Sequence, residues 1–429
     1  MSTFTPFLRG QTLPWIALVS FVLAACGGSR TGRDADAGTT EPDASGGSFR
    51  LNVVNGHGSG VYAVGETVHV WSAVSTVDEV ALPWTGEASL LGEPNEWHST
   101  LVMPAHDVEL VANTGSQELT LTVEQFNGST TVPKTVRYYF PPAMRGVVIF
   151  SHGTGGSNTY IESTEAFAIA LAMVHNGYGV LGTECEEAAS GNAGPDGKIR
   201  WNKKFVVNNV DLKNLQILFA DLEMRGLIPA GTPKFALGMS AGGSQSHFLG
   251  AIGASTIASS FPQLRFNAVV GYCSDATSTN PGTLSTTPSA WFMCGSENNP
   301  EVSNDEAFEN YQTLSGRGIP ADYIEHPPSP LYDERFTRVA GISAETSAAM
   351  AAELRAADFV DDDSFINTDG NVIGQFIIDN PGSFPTIVAQ TEYLGAIHQQ
   401  VRVMRAEHAM YSDYTQRTIA WFEQFNPNP

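Results

Sequence analysis

Apolar positions change rhythm three times along the chain. Residues 13–25 form an almost unbroken apolar stretch, and residues 27–47 are dominated by Gly, Ser, Thr, Asp and Ala with no apolar period. From residue 49 to about 113, short runs rich in β-branched and aromatic residues are separated by glycine turns. Thr67-Val68-His69-Val70-Trp71 and Val108-Glu109-Leu110-Val111-Ala112 are examples, and they predict a small all-β module over 48–114. From about residue 118 the pattern changes again. Residues 119–123 and 136–140 alternate as an antiparallel hairpin does. Continuous apolar runs follow at 146–150, 179–181, 234–237, 268–270 and 290–293, as in strands buried on both faces. Residues 210–225 and 305–314, between these runs, have helical spacing. Strands alternating with helices predict an α/β domain over 115–429, with a mostly parallel central sheet covered on both sides.

The first 25 residues hold one charged side chain, Arg9, ahead of the apolar stretch, and they read as a secretory signal. The stretch is short against the roughly 20 residues that a membrane span needs. It ends in Leu23-Ala24-Ala25-Cys26, which resembles the lipobox of bacterial lipoproteins. That resemblance implies cleavage before Cys26, a diacylglycerol on its thiol, and a flexible tether over 26–47 that holds the folded part off the membrane. Gly27 and Gly28 stand where Asp would signal inner-membrane retention, so the implied location is the outer membrane or cell surface of a Gram-negative bacterium. In the β module, Gly58-Ser59-Gly60-Val61-Tyr62, Gly65-Glu66-Thr67-Val68, Trp84-Thr85-Gly86 and Met103-Pro104-Ala105-His106-Asp107-Val108 resemble successive signatures of the divergent internalin-type B-repeat of bacterial surface proteins. The resemblance implies a spacer or weak adhesion module with no chemistry of its own. Trp71 and Trp84 are the candidates for carbohydrate contact, set against the commoner use of Trp as core in so small a domain.

Composition narrows the function. Hydrophobic residues make up 42% and charged residues 16%, enough apolar material for a sizeable core. The 45 acidic against 22 basic residues leave a net charge of -23, which repels phosphate backbones and excludes nucleic acid as a partner. With Cys26 set aside, Cys185, Cys273 and Cys294 allow at most one internal disulfide. Cys273 and Cys294 end two segments read as neighbouring strands, which makes them the geometrically natural pair. There is no C-x-x-C with nearby ligand histidines, so neither a metal nor another cofactor is expected. Asp361-Asp362-Asp363 with Asn367-Thr368-Asp369-Gly370 does not make a calcium loop. With Gly370 at loop position six, Phe365 and Phe376 fall where acidic ligands are needed.

The chemistry centres on Gly238-Met239-Ser240-Ala241-Gly242-Gly243, directly after the apolar run 234–237 and before a small-residue helical stretch over 243–254. A serine on a sharp strand-to-helix turn needs flanking glycines, because the helix crosses the strand too closely for side chains. Upstream, Ser151-His152-Gly153-Thr154-Gly155-Gly156 follows the run 146–150. It contains neither G-K-[ST] nor G-x-G-x-x-G, so a phosphate cradle is not indicated. The serine turn and the His-Gly loop together resemble the α/β-hydrolase superfamily, and among its members polyester depolymerases, platelet-activating-factor acetylhydrolases and acetylxylan or feruloyl esterases. The resemblance implies Ser240 as nucleophile, backbone N–H groups of Thr154 and Ala241 as oxyanion donors, and the chain order Ser, acid, His.

The base should then be a histidine shortly before the last helix. His408 fits best, between the apolar run 401–404 and residues 414–425, ahead of His398 and His326. The acid belongs in Met293-Cys294-Gly295-Ser296-Glu297-Asn298-Asn299-Pro300, where many relatives have Gly-x-x-Asp and this chain has Asn298. Glu297 ranks first as acid, then Asp305, Asn298 and Asp275. Residues 327–400 read as an insertion, preferably a lid, with an alanine-rich helix over 343–357. The expected function is hydrolysis of a carboxylic ester (polyester, lipid or acylated polysaccharide). The rivals are a serine peptidase of the same fold and an inactive surface adhesion protein.

Overall fold

A computed structural model describes residues 47–428. The apolar segment 1–25, Cys26 and the tether as far as residue 46 lie outside the described residues. Among the described residues, no helix is long and apolar enough to cross a membrane.

The larger part is built on an eight-stranded sheet: β1 (Thr122–Asn127), β2 (Pro133–Tyr139), β3 (Gly146–Ser151), β4 (Tyr178–Gly182), β5 (Lys234–Met239), β6 (Ala268–Tyr272), β7 (Ser289–Cys294) and β8 (Ala321–His326). Their spatial order is β1-β2-β4-β3-β5-β6-β7-β8. β1 and β2 are antiparallel, β2 runs antiparallel to β4, and every pair from β4 to β8 is parallel. This is the mixed α/β architecture expected from the alternation of strand and helix patterns. The opening hairpin is displaced a few residues from 119–123, because Thr122 to Asn127 follow the register against β2.

Period-two alternation inside β3 shows how the sheet is covered. Val148 and Phe150 pack with Ile169 and Met173 of α1 (Thr164–His175) and Phe422 of α8 (Thr415–Gln424). Val147 and Ile149 point the other way, to Leu215 and Phe219 of α2 (Val210–Met224) and Phe248 of α3 (Ala241–Ile252). These four β3 side chains are at most 1% exposed. Each such burial is worth roughly 1.5–3 kcal/mol, which is why the run holds no polar residue. On the same side, α4 (Asn304–Gly316) covers Trp291 and Met293 of β7.

The N-terminal module is a pair of small sheets, one ordered 60–63, 48–54, 108–116, 79–86 and the other 56–57, 67–72, 98–102. Its core holds Leu51, Val70, Trp84, Leu101 and Leu110. Trp84 is buried with its indole N–H donated to Glu96 O at 2.8 Å, and Trp71 is buried against Tyr332 at 4.4 Å. Neither tryptophan presents an open ring face. Residues 327–400 form a helical subdomain with its own core of Phe336, Met350, Leu354, Phe384 and Ile397. It includes α5 (Ala344–Ala356), α6 (Gly370–Asp379) and most of α7 (Leu394–Met404).

A buried polar junction joins the three parts. Glu165 of α1 receives Arg338 Nη2 at 2.8 Å, Gln400 Nε2 at 2.8 Å and the Ser412 hydroxyl. The Arg338 guanidinium lies 3.8 Å from the centre of the module's Trp97 ring, and the Thr76 hydroxyl donates to Arg338 O at 2.6 Å. Burial alone would raise the Glu165 carboxyl, but Arg338, together with Arg335 and the Ser412 hydroxyl, more than offsets it and holds the group below its ordinary range.

Candidate active site

Ser240 sits where β5 turns into α3, at φ 58° and ψ -125°. A non-glycine residue in this region is strained, and such strain persists only where the surroundings dictate it. The surroundings here are backbone. A Cβ on Gly242 would lie 1.9 Å from Ser151 O, and one on Gly238 would lie 2.4 Å from Gly242 O. The elbow is pinned by Ser240 N–H to Tyr272 O at 2.9 Å and Ser244 N–H to Ser240 O at 3.0 Å. The serine side chain is thereby lifted above the carboxyl edge of the sheet and stays partly open to solvent.

The loop after β3 approaches from the other side. His152 is buried and accepts the Cys185 N–H at Nε2 (3.2 Å), so Nδ1 carries the proton and donates to Gly153 O at 2.8 Å. Burial lowers the pKa of this imidazole, in keeping with a neutral structural role. Trp201 Nε1 donates to His152 O at 2.9 Å, and Gly155 N–H donates to Ile199 O at 3.0 Å. With the loop so fixed, the Thr154 and Ala241 N–H groups have no protein acceptor among the described residues. Both residues and Ser240 line one cavity of about 230 Å³.

His408 lies between α7 and α8. Its Nδ1 is 2.9 Å from the Glu297 carboxylate, and its backbone N–H donates to Asn298 Oδ1 at 3.3 Å. Glu297 also accepts the Asn299 N–H at 2.8 Å. With the proton on Nδ1 directed at Glu297, Nε2 is an acceptor, and it takes a hydrogen bond from Asn299 Nδ2 at 3.1 Å. The Asn299 amide is oriented by its Oδ1, which accepts the Glu301 N–H at 3.0 Å. Ser240, His408, Thr154 and Asn299 line a second cavity of about 520 Å³ that adjoins the first. The acid loop is anchored by the Cys273–Cys294 disulfide, by Gly295 N–H to His326 O and by Ser296 N–H to Ala406 O, both at 2.9 Å.

The remaining candidates sit elsewhere. Asp305 is exposed in the first turn of α4. Asn298 donates Nδ2 to Asp369 Oδ2 at 2.8 Å, so it steadies the His408 backbone rather than its ring. Asp275 lines the smaller cavity but spends both oxygens on the Thr277 and Ser303 N–H groups, and burial raises its pKa. His398 Nε2 is 2.9 Å from Gly370 O, and His326 is buried with its ring stacked on Tyr411 at 4.4 Å. The segment 327–400 supplies none of the residues lining either cavity, and it reaches the acid loop through Asp369, which accepts from Asn298. Several side chains in the cleft were not singled out from the sequence: Asn299, Arg402, and the Lys198, Arg200 and Lys203 of the crossover between β4 and α2. No motif marks them. Only their placement around Ser240 does.

The strand order and the strained serine turn define the α/β-hydrolase fold. No protein-family model and no curated protein matches the chain. Among solved structures it is similar to Thermogutta terrifontis esterase 2 phosphorylated by paraoxon, with 12% identity, TM-score 0.35, and 48% of this chain against 81% of that one. It is likewise similar to a Pyrococcus furiosus esterase (12%, TM-score 0.34, 48% against 82%). A third similar structure is a putative carboxylesterase from Lactobacillus plantarum (16%, TM-score 0.33, 48% against 88%).

Proposed function

We propose that this protein is a serine esterase that cleaves carboxylic esters with Ser240 as nucleophile, His408 as general base and Glu297 as the carboxylate that orients it. The observation that carries the reading is one cleft holding a strained, partly open serine and an imidazole whose Nδ1 faces the Glu297 carboxylate at 2.9 Å. In the reaction, Ser240 Oγ bonds to the ester carbonyl carbon as its proton passes to His408 Nε2, after the Asn299 amide yields that lone pair. The oxyanion takes the free N–H groups of Thr154 and Ala241, an electrostatic contribution worth several kcal/mol, about 3–4 per donor. Collapse breaks the bond to the alcohol oxygen, which receives the proton from His408. Water, deprotonated by the same nitrogen, then releases the acid and restores Ser240. Glu297 stabilises the imidazolium at both steps. The departure from Gly-x-x-Asp at Asn298 thus leaves the imidazole with a carboxylate partner all the same.

Labelling with a fluorophosphonate probe tests this reading. The folded protein should be modified at Ser240 and should hydrolyse p-nitrophenyl acetate, and both should vanish in Ser240→Ala. Absence of labelling in folded wild-type protein rules out the esterase. Leu23-Ala24-Ala25-Cys26 and the polar tether support a further part of the proposal, a lipid anchor on Cys26 that holds the enzyme at the outer membrane or cell surface. Incorporation of radiolabelled palmitate into wild type and equally into Cys26→Ser would refute it.

A further inference from the structure

Two basic side chains face the cleft without a hydrogen bond to protein among the described residues. Arg402 lines the larger cavity beside Ser240 and His408, and among the described residues its buried Nε has no hydrogen-bond partner. The nearest carboxylate, Glu407 at 3.9 Å, is already engaged by Arg405 Nε at 2.6 Å and by the Gly370 N–H. Leaving the buried Nε of this guanidinium without an acceptor costs free energy. Lys203 lines the smaller cavity, and burial lowers its pKa to about 8.

The two cavities differ in charge. The smaller sets Arg200 and Lys203 against Asp275, Glu301 and Glu306, so an added anion meets net repulsion. Among its lining residues the larger sets Lys198 and Arg402 against Glu301, which is occupied by Lys198 Nζ at 2.5 Å and Arg200 Nη2 at 3.0 Å, while Glu407, Asp369 and Glu297 act on Arg402 from outside that lining. His408 must hand its proton to the leaving oxygen, so the alcohol half of the ester belongs in the larger cavity. Its lining offers little beyond Met239 and Pro300 to a hydrocarbon chain.

We propose that the substrate is an ester of a carboxylate-bearing alcohol, a hydroxy acid or acidic sugar, whose carboxylate is held by the Arg402 guanidinium on the His408 side of Ser240. This rests on the esterase reading above. The planar guanidinium suits two-point contact with a carboxylate, which a lysine could not reproduce.

The test compares two acetate esters of matched shape, 4-acetoxybenzoate and neutral 4-acetoxybenzamide. The amide's phenol is the better leaving group, so any preference for the carboxylate comes from binding. Wild type should show a kcat/KM for the carboxylate about tenfold or more above the amide, as for a charge-assisted hydrogen bond. Arg402→Gln should bring the ratio to about one, and Arg402→Lys should recover part of it. Fluorophosphonate labelling of Ser240 shows that each variant is folded. A wild-type ratio of one or below, or a ratio unchanged in labelled Arg402→Gln, overturns the inference while leaving the esterase intact. If neither ester is cleaved and Ser240 is not labelled, the esterase reading falls and takes this inference with it.

Discussion

Glu297 is where a single residue departs most clearly from the expected pattern. The Gly-x-x-Asp pattern expected from the resemblance puts Asp one position later, and here that position is Asn298, whose side chain is drawn to Asp369 and to the His408 backbone. Glutamate has one more methylene than aspartate. From one residue earlier, that extra reach is enough to bring its carboxylate to Nδ1. Glu297→Gln should keep the geometry and lose the negative charge, lowering kcat by roughly 10³–10⁴ as expected when the third member no longer stabilises imidazolium. Steady-state kinetics on p-nitrophenyl acetate would read this. Asp305→Asn should turn over at the wild-type level, and equal losses in the two variants would reassign the acid. At this scale the sequence narrowed the acid to four residues, Glu297, Asp305, Asn298 and Asp275. The choice among them was not legible, because it depends on a contact across 111 residues of chain.

Among elements, the β5-to-α3 turn carries the most constraint. Its glycines were readable as a motif because the crossing distance is set by local backbone geometry, the same in any chain that makes this turn. Gly242 is the tighter of the two, with Ser151 O and His152 O where a side chain would begin. Gly242→Ala must push α3 away from β3 or move the loop bearing Thr154, and either parts the oxyanion donors. Rate should fall by about 10²-fold or more, the scale of losing one such donor. Measuring kcat with Tm separates this from unfolding, and an Ala variant of wild-type activity would mean that the loop is softer than the structure indicates. Helix positions were legible to within a few residues for α2, α4 and α5, where apolar spacing is regular. The opening hairpin was less so, since short alternating runs allow a register slip that only pairing corrects.

On the scale of the whole molecule, the module, the sheet domain and the insertion share one buried polar junction. His326 ends β8, and burial, outweighing the nearby Asp413 carboxylate, lowers its pKa. His69 of the module is lowered to about 3, by burial first and then by its neighbour His98. Asp413, 2.7 Å from His98 Nδ1, lies below the ordinary carboxylate range because the neighbouring basic groups outweigh its burial. The signs agree. The unfolded chain takes up protons on these histidines near pH 6.5 and the folded chain only at lower pH, so their contribution is full above 6.5 and declines as pH falls, for His69 toward about 3. Asp413 adds to the loss below about pH 4. Urea unfolding should therefore weaken from pH 6.5 to 4.5 by up to about 1.4 kcal/mol per pH unit for each histidine held neutral. His326→Phe should flatten that slope by one proton, and an unchanged slope would show that His326 charges in the folded state.

By itself the sequence determined the order of strands and helices, the serine on its glycine-flanked turn and the loop opposite it. These are local matters of hydrophobic period and backbone crowding, written in neighbouring residues. Tertiary structure decided which histidine and which acid meet, since residues 297 and 408 come together only when the ends of β7 and α7 are closed over the sheet. It also set Arg402 and Lys203 beside Ser240, and it packed the insertion against the module. Charge and reach at a site built from separated loops depend on how those loops close, and no periodicity along the chain encodes that distance.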